Sequence, residues 1–508
     1  MNTINDDTII APATIPGTGA ISLLRISGPK SFPIADSLVS FRKGSAAQAA
    51  PNTIKFGTIY KKNAVEHTPD TVLDEVLVCI YKAPHSYTGE DSVEIMCHAS
   101  SYIVSEIIAY ALEAGARFAM PGEFTQRSFL SGKMDLTQAE AVADVVASST
   151  EASHRVAVKQ LKGGFSSELA SLREKLLEMA SLLELELDFS EEDVEFAKRD
   201  QLDALLDTVL AKIDALASSF RLGNAIKNGI PVAIVGPTNA GKSTLLNCIL
   251  GEQRAIVSNI AGTTRDTIEE TFNVDGVLFR FVDTAGIRET SGEIEKIGIQ
   301  RSFESIRKAE IVIILLDAVT LCDTLSDTLS DTLCNTLSKS DIDKIYSPIL
   351  DSVDFTSQKV IFVLNKADLM ADFSGNKNVK CYNSFVLWLK EKQLGICEGD
   401  SSSEICQISA LTGNGVDSLL KTLSGHAKSR LTAASDGSVL VTNIRHWEAL
   451  VTAHKSLQKV KAGLASGTPT DLVAEDLRSA LSTLGTITGE ITHTEVLENI
   501  FKNFCIGK

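Results

Sequence analysis

The sequence predicts a multidomain protein that combines α/β and all-α parts. We expect a mixed α+β domain over residues 1–130, a discontinuous helical domain over 131–229 and 428–508, and an α/β domain with a doubly wound sheet inserted at 230–427. Three observations predict this organisation. A chain of 508 residues has room for roughly three domains. Gly and Pro are rare from about residue 133 to 228, helical sequence returns after about residue 430, and the stretch between them alternates short apolar strands with Gly-rich turns and helices.

The N-terminal segment is predicted to be mixed because strand and helix signals follow each other. Val72–Tyr81 and Ser92–Cys97 combine β-branched and apolar residues between turn signals, which is typical of strands. Ser101–Ala114 is predicted to form a helix that ends at Gly115, because glycine often follows the last helical turn.

The helical domain is predicted from the spacing of its apolar residues. Leu172, Leu176, Met179, Leu183 and Leu187 recur at steps of three and four, which places them on one face of an amphipathic helix. Helix-rich sequence flanks the α/β stretch on both sides, so we expect the two flanks to share one core. The alternative, two separate helical domains, needs an extra core for segments of only about 80 to 95 residues.

The inserted α/β domain is predicted from short, strongly apolar runs. Val232–Val235, Phe279–Val282, Ile311–Leu316 and Val360–Leu364 are the clearest of these strands. Because helical sequence alternates with them, a parallel sheet covered by helices on both faces is expected.

A four-residue repeat, Asp-Thr-Leu-Ser and close variants, runs over residues 323–338. We interpret it as a surface insertion without a catalytic role, since irregular segments of this kind lie on protein surfaces. A short solvated helix, in which leucines at i and i+4 share a face, is the alternative.

Composition excludes several classes of protein. With 44% hydrophobic residues the chain can build cores, so wholesale disorder is excluded, and a net charge of −17 excludes a generic basic coat for nucleic acid. Nine cysteines without a C-x-x-C pair indicate reduced thiols rather than disulfides or structural zinc. The start, Met1–Asp7, is acidic and polar, and the longest apolar run, Ile311–Leu316, is too short for a bilayer. We therefore expect a cytoplasmic protein without a membrane segment.

A phosphate-binding loop is predicted at Gly236–Ser243, which reads G-P-T-N-A-G-K-S. It follows the strand Val232–Val235 and precedes an apolar helix at Thr244–Leu250, which is the context that such a loop requires. Backbone N–H groups of the turn and of the helix N-terminus surround phosphates in this arrangement. Lys242 is expected to reach the β- and γ-phosphates, and the Ser243 hydroxyl to bind Mg²⁺.

Four further motifs follow in the order that a guanine-nucleotide site requires. Gly262–Arg265 supplies a switch threonine for Mg²⁺ and the γ-phosphate, Asp283–Gly286 follows a strand as a D-x-x-G motif, and Ser409–Leu411 completes a base pocket. In Asn365–Asp368 (N-K-A-D), the carboxylate of Asp368 can accept two hydrogen bonds from guanine, and adenine offers no such donor pair. Together the motifs predict a Ras-like P-loop GTPase domain.

The motifs define a set of predicted contacts with GTP and Mg²⁺. The Mg²⁺ ligands are expected to be Ser243 and Thr264. The residues predicted to contact the nucleotide are Asn239, Ala240, Gly241, Lys242, Ser243, Thr244, Ser258, Asn259, Ile260, Ala261, Gly262, Thr263, Thr264, Asp283, Thr284, Ala285, Gly286, Asn365, Lys366, Ala367, Asp368, Ser409, Ala410 and Leu411.

Catalysis is predicted to differ from that of Ras-like proteins. Ile287 stands where those proteins place the glutamine that orients water, and an alkyl group cannot do this. Arg265 and Arg288 are candidates for an arginine finger on position alone. The amide oxygen of Asn239 suggests another source of positive charge, a monovalent cation near the bridging β–γ oxygen.

Motifs outside the GTPase domain carry a family resemblance that runs along the whole chain. The sequence resembles the MnmE (also called TrmE) family of tRNA-modification GTPases. The matching motifs are Leu24–Gly28, Tyr87–Asp91, Pro121–Thr125, Lys133–Leu136, Gly236–Ser243, Ile260–Asp266 and Cys505–Lys508.

The resemblance implies an activity and a set of partners. Members work with MnmG, a protein that carries the flavin and uses NADH, so no FAD is expected on this chain. Together they install an aminomethyl-type group (carboxymethylaminomethyl) on C5 of the wobble uridine, position 34, of certain tRNAs. GTP hydrolysis drives a conformational change, and the one-carbon unit comes from 5-formyl- or methylene-tetrahydrofolate. The resemblance also implies a homodimer, formed by the N-terminal domain, that joins MnmG in a heterotetramer-like complex.

The resemblance also assigns residues. It places the folate contacts at Arg25, Glu94, Lys133 and Lys508. It places the K⁺ ligands at Asn239, Ser258, Ile260 and Thr263. Glu295 matches the family's residue implicated in positioning the attacking water, and Cys505 falls near the folate and the tRNA chemistry, where a nucleophilic role stays open. With Lys242, these two form the predicted catalytic set.

Two other functions remain compatible with the GTPase motifs. One is a regulatory GTPase switch in ribosome or RNA maturation without modification chemistry. The other is a membrane-remodelling GTPase, which the absence of an apolar span or a basic amphipathic tip disfavours. The N-terminal motifs and Cys505–Lys508 favour tRNA modification over both.

Overall fold

The structure is a computed structural model, and its described part excludes several internal segments and parts of both termini. The described residues are 7–17, 19–62, 68–188, 199–253, 270–282, 303–318, 339–370, 403–432, 439–491, 497, 500–502, 504 and 507. Within these ranges no helix is long and apolar enough to cross a membrane.

The N-terminal part is built on a seven-stranded sheet with the order β3-β4-β5-β6-β2-β1-β7. Its strands are β1 (Thr8–Pro12), β2 (Ile21–Ser27), β3 (Ser40–Phe41), β4 (Thr53–Tyr60), β5 (Val72–Tyr81), β6 (Ser92–His98) and β7 (Ala116–Phe118). Neighbouring strands are antiparallel except β1 and β7, which are parallel. Strand β5 has the predicted bounds, and β6 is one residue longer than predicted.

One face of this sheet is covered by two helices, α1 (Ser31–Leu38) and α2 (Ser101–Glu113). Ile107 and Ala111 on α2 are fully buried against the sheet. Helix α2 ends one residue before its predicted last residue, and Gly115 follows directly after the cap residue. The core under the helices includes Ile10, Leu24, Ile26, Val78, Ile80, Val93 and Ile95.

Among the described residues, six helices connect the first sheet to the second. They are α3 (Glu123–Leu130), α4 (Leu136–Ala147), α5 (Glu151–Leu161), α6 (Gly164–Asp188), α7 (Arg199–Ser218) and α8 (Phe220–Asn228). A reciprocal capping box begins α4: the Asp135 carboxylate accepts from the N–H of Gln138 at 2.9 Å, and the Asp135 N–H donates to the Gln138 side chain at 3.0 Å. Thr150 and Ser153 form the equivalent box at α5.

The second sheet has six strands in the order β13-β12-β11-β8-β10-β9. Its elements are β8 (Ile230–Val235), α9 (Lys242–Gln253), β9 (Thr271–Val274), β10 (Val277–Phe281), β11 (Ile311–Asp317), α10 (Lys339–Leu350), β12 (Lys359–Asn365), β13 (Ser403–Gln407) and α11 (Val416–Thr432). All neighbours are parallel except β9 and β10.

Both faces of the second sheet are buried, as a doubly wound sheet requires. Along β11, Ile311, Ile313 and Leu315 enter the core on one face, and Val312 and Ile314 enter the core on the other. This confirms the predicted fold class of the inserted domain. The predicted strands lie within or near β8, β10, β11 and β12, with end shifts of one or two residues.

Two long helices, α12 (Ile444–Ser466) and α13 (Thr470–Thr488), follow the second sheet and return to the first helical segment. One core joins the segments that flank the second sheet, so the helical domain is discontinuous, as predicted. Its buried members include Leu172, Leu176, Met179 and Leu183 of α6, Leu206 and Ile213 of α7, Leu450 and Leu457 of α12, and Leu477 and Leu484 of α13.

A buried polar cluster connects α4 with α12 and with the end of α13. The Glu140 carboxylate on α4 accepts from Arg445 Nε at 3.1 Å and lies 2.6 Å from His446 Nε2. Arg445 also donates to the carbonyl oxygens of Thr486 (2.7 Å) and Ile487 (3.1 Å) at the end of α13. Although burial opposes ionisation, His446 and Arg445 hold the pKa of Glu140 at about 2.

Candidate functional site

The predicted phosphate-binding loop connects β8 to α9. Gly236, Asn239 and Gly241 have φ of 157°, 66° and 96°, so three residues of the loop have a positive φ. A Cβ at Gly241 would overlap with the amide of Asn365, which means that both the backbone angle and the space at this position favour glycine. Ala240 between them is buried.

The Lys242 ammonium lies inside this loop. Its Nζ donates to the carbonyl oxygens of Gly236 at 2.9 Å and Pro237 at 2.8 Å. Burial lowers the pKa of Lys242, because a desolvated ammonium is disfavoured. Among the described residues no carboxylate pairs with it. A phosphate group placed in the loop would neutralise this charge, so the residues present fit an anionic ligand.

Asn365 connects the phosphate-binding loop to the loop that follows β13. Its Nδ2 donates to the Ala240 carbonyl oxygen at 2.9 Å, and its Oδ1 accepts from the Ala410 N–H at 2.9 Å. The side chain is 2% exposed, so both hydrogen bonds are shielded from water. Sequence reasoning assigned Asn365 to contact with the nucleotide, and in the structure it also joins two of the predicted contact loops.

The other residues of the N-K-A-D motif have separate roles. Lys366 has φ 67° and its Nζ pairs with Asp317 Oδ2 at 2.6 Å, at the end of β11. The Asp368 carboxylate accepts from the Ser409 hydroxyl at 2.6 Å, which fixes its orientation. Sequence reasoning did not single out Asp317. Its position in the sequence could have identified it, because Asp317 directly follows six apolar residues of a parallel strand and the ends of such strands line ligand sites.

Several predicted site residues lie outside the described part of the chain, and their roles stay predictions. They are Ser258, Asn259, Ile260, Ala261, Gly262, Thr263, Thr264, Asp283, Thr284, Ala285, Gly286, Glu295, Cys505 and Lys508, together with Arg265, Ile287, Arg288 and the repeat at 323–338. The structure does bring together the phosphate-binding loop, the N-K-A-D motif and Ser409–Leu411. In the ranges that are described, no group of three or more His, Cys, Asp and Glu side chains could hold a metal ion.

The predicted folate residues Arg25 and Glu94 lie opposite each other on β2 and β6 and form an ion pair. Arg25 Nη2 is 2.8 Å from Glu94 Oε1, and both side chains are less than one-fifth exposed. The guanidinium also lies over the Tyr87 ring, 4.9 Å from its centre. The Tyr81 hydroxyl donates to Glu94 Oε2 at 3.4 Å. Because, among the described residues, Oε1 accepts from Arg25 and Oε2 only from Tyr81, Oε2 keeps a lone pair for a further donor.

The third described folate candidate, Lys133, lies on a neighbouring loop. Its Nζ donates to the Pro84 carbonyl oxygen at 3.1 Å and also to that of Ser86. Near the C-terminus, Gly507 packs against Pro12, so closely that a Cβ would overlap with the Pro12 carbonyl. Residues 11 and 12 pair with residues 25 and 24 of β2, so the last turn of the chain approaches the strand that carries Arg25.

An apolar row crosses the same sheet face beside this ion pair. Leu23, Met96, Leu77 and Phe56 are cross-strand neighbours on β2, β6, β5 and β4. Leu77 is 43% exposed, and the row is flanked by residues 21 and 54, which are isoleucines exposed by 65% and 64%. We call these six residues the apolar row. It leaves a large apolar surface in contact with solvent, which proteins use for association.

The fold and the nucleotide loops together define a P-loop GTPase domain inserted into a helical domain. Two family models match nearly the whole chain: "MnmE helical domain" over residues 136–505 and "GTP-binding protein TrmE N-terminus" over residues 8–133. The chain belongs to the MnmE family of tRNA modification GTPases.

Individual relatives agree with this family over their full length. The chain is 45% identical to the tRNA modification GTPase MnmE of Bacteroides fragilis (strain YCH46), over 99% of this chain and 100% of that protein. It is 44% identical to the protein of the same description from Flavobacterium johnsoniae, again over 99% of this chain and 100% of the relative. Among solved structures, the FeoB G-domain from Methanococcus jannaschii matches 39% of this chain and 98% of its own length, at 22% identity and a TM-score of 0.23.

Proposed function

We propose that this protein is a GTP hydrolase that acts in tRNA modification in the cytoplasm. With an MnmG-type flavoprotein it adds a carboxymethylaminomethyl group to C5 of wobble uridine 34 of certain tRNAs, using a one-carbon unit from 5-formyl- or methylene-tetrahydrofolate. The observation that carries the proposal is the Asn365 bridge. It joins the phosphate-binding loop to the loop after β13, where the neighbouring Ser409 hydroxyl donates to Asp368, in a chain that matches its family over its whole length.

Contacts among the described residues support the proposed selection of guanine nucleotides. Ser409 orients the Asp368 carboxylate, and a carboxylate can accept from both N–H groups on the guanine edge. Lys242 would supply a half-buried positive charge for the β- and γ-phosphates. Mg²⁺, held by Ser243 and Thr264 with Asp283 nearby, would supply Lewis-acid stabilisation of the phosphate charge.

The proposed catalytic assistance comes from K⁺ and from Glu295. Asn239 stands in the phosphate-binding loop with φ 66°, and the K⁺ ligands Ser258, Ile260 and Thr263 would come from the following loop. A K⁺ ion there would place positive charge where an arginine finger acts in other GTPases. Glu295 would orient the attacking water in place of the glutamine that this chain lacks.

The proposed folate site uses Arg25, Glu94, Lys133 and the C-terminal Lys508. Glu94 is held by Arg25 and Tyr81 and can accept from the donor edge of a pterin. Lys133 is a cation on a nearby loop and suits the glutamyl carboxylates. Gly507 packs against the end of β1, which supports the placing of Cys505 and Lys508 near this site.

The proposed homodimer forms through the N-terminal sheet. The apolar row is large and exposed on one face of a sheet whose other face is already buried under α1 and α2. A second copy of the chain offers the same surface, and a two-fold interface is self-complementary by construction. The folate residues border this row, so the dimer contact would also enclose the ligand.

Nucleoside analysis of tRNA tests this proposal. A strain that lacks the gene should lose the C5 modification at uridine 34, and the wild-type gene should restore it, whereas Lys242→Ala should not. Cys505→Ser should keep GTP turnover and lose most of the modification if the thiol takes part in the chemistry. Normal modification in the deletion strain would refute the proposal. Altered ribosome profiles with normal nucleosides would instead support the regulatory switch.

A further inference from the structure

A cleft lies between helix α8 and the edge of the second sheet where its parallel strands begin. Its volume is about 490 Å³, and its walls include Phe220 and Asn224 of α8, Pro231 at the start of β8, and Glu310 just before β11. The phosphate-binding loop and the N-K-A-D motif follow the opposite ends of these strands. The cleft is therefore separate from the nucleotide site, and its size is that of a ligand site rather than of a few water molecules.

The cleft is rich in positive charge although the chain as a whole carries −17. Its cationic side chains are Arg221, Arg280, Arg307 and Lys308. Its acidic side chains are Glu310 and Asp354. A cluster of basic residues in an acidic protein creates a local field that attracts anions without general affinity for nucleic acid.

Both carboxylates in the cleft already have partners. Glu310 Oε2 lies 3.5 Å from Arg221 Nε. Asp354 caps its own turn by accepting from the Thr356 N–H at 3.0 Å and from the Ser357 hydroxyl at 2.6 Å, and these bonds hold its pKa at about 2. Neither carboxylate forms an ion pair with Arg307 or Lys308 in the described part of the chain.

Arg307 and Lys308 are the cations left for an external anion. Both side chains are exposed, and neither forms an ion pair with any residue in the described part of the chain. Arginine offers a planar fork of N–H donors that matches two phosphate oxygens, and lysine adds a compact charge beside it. Two adjacent cations at the mouth of a cleft suit consecutive phosphates of a nucleic-acid backbone better than they suit a single small anion.

We infer that this cleft binds the phosphate backbone of the tRNA substrate, with Arg307 and Lys308 as the main contacts. The inference rests on the proposed function, which names tRNA as the substrate. Backbone contacts position RNA without reading its sequence, so the cleft adds affinity and orientation rather than tRNA selection.

Salt dependence of tRNA binding tests the inference. The double variant Arg307→Gln/Lys308→Gln removes two phosphate contacts and leaves the nucleotide loops intact. Each contact contributes about 0.7 to 0.9 to the slope of log K against log [salt]. We expect the slope for an unmodified tRNA transcript to fall by about 1.4 to 1.8, and affinity at 0.1 M salt to fall by up to about sixtyfold.

The matched control is Lys455→Gln/Lys459→Gln, which removes two exposed positive charges from α12, outside the cleft. It should keep the wild-type slope, and both double variants should keep wild-type GTP turnover. An unchanged slope for Arg307→Gln/Lys308→Gln, with tight tRNA binding by the wild type, would overturn the cleft assignment alone. An equal fall in slope for both double variants would show a general charge effect and would also overturn the cleft assignment. No tRNA binding by the full wild-type chain would overturn both this inference and the proposed function.

Discussion

Replacement of Asn365 by alanine tests whether the bridge between the two nucleotide loops controls affinity. The amide connects Ala240 in the phosphate-binding loop with Ala410 in the loop after β13, through hydrogen bonds of 2.9 Å on each side. Alanine removes both bonds and leaves the Ala240 carbonyl and the Ala410 N–H in a buried setting. The two loops then have no side-chain link at this point.

The size of the effect follows from the burial of the bridge. A buried polar group without a partner costs about 1 to 3 kcal/mol, so two such groups cost about 2 to 6 kcal/mol. Local relaxation lets water reach these groups, which lowers the free-energy cost toward about 2 kcal/mol. About 2 kcal/mol corresponds to a nucleotide affinity reduced roughly thirtyfold. Asn365→Asp should be at least as harmful, because a carboxylate oxygen would face the Ala240 carbonyl.

The assay is equilibrium binding of a fluorescent GDP analogue to the full chain. Asn228→Ala is the matched control, because Asn228 is an exposed asparagine whose Nδ2 donates only to Asn224 Oδ1 in the described structure. The control should bind like the wild type. If Asn365→Ala binds within threefold of the wild type, while circular dichroism shows a folded chain, the bridge does not organise the site and the reasoning is wrong.

Three further predictions follow from the site and from the helical junction. Asp368→Asn should weaken GTP binding and favour xanthine nucleotides, since the amide replaces one acceptor by a donor; unchanged GTP affinity would contradict the base pocket. GTP hydrolysis should be faster in K⁺ than in Na⁺ at equal ionic strength, and Asn239→Ala should remove the difference; equal wild-type rates would exclude the cation. Glu140→Gln should destabilise the helical domain by about 3 kcal/mol at neutral pH, since the pKa of Glu140 is depressed from 4.5 to about 2. The stabilisation by ionised Glu140 is complete above pH 4.5 and is lost as the pH falls toward 2. Urea unfolding of wild type and variant at pH 3 and pH 6 checks this. An equal difference in urea midpoint at the two pH values would contradict the prediction.

The parallel strands of the second sheet were predictable because they are buried on both faces and their apolar runs are continuous. Strand β10 shows where this reasoning fell short. Its predicted start at Phe279 lies two residues too late, because β10 pairs with β9 across the turn Asp275–Gly276 and Val277 lies opposite Val274. Both turn residues have positive φ, which is typical of a two-residue hairpin. The Asp-Gly pair in the sequence could have indicated this hairpin turn.

Contacts between residues distant in sequence could not be predicted from motifs. Arg127 is fully buried in the N-terminal domain, where Asp7, Glu90 and Glu123 accept from its guanidinium at 2.6 to 3.2 Å. Only the Glu123–Arg127 spacing of four residues is visible in the sequence. The same holds for Glu140 and Arg445, which are 305 residues apart, because a chain pattern reports which face of a helix is polar but not which element covers it.

The second sheet links the nucleotide site to the proposed RNA cleft. Chain topology places Gly236 directly after β8 and makes Asp317 and Asn365 the last residues of β11 and β12, so parallel strands bring the GTPase motifs to one edge. The cleft lies at the other edge, and a strand of six residues such as β8 spans about 20 Å. Helix α8 forms one wall of the cleft and leads through a single glycine into β8, which leads into the phosphate-binding loop. A shift of α8 on RNA binding would therefore act on the loop that holds the phosphates through continuous backbone, without any side-chain relay.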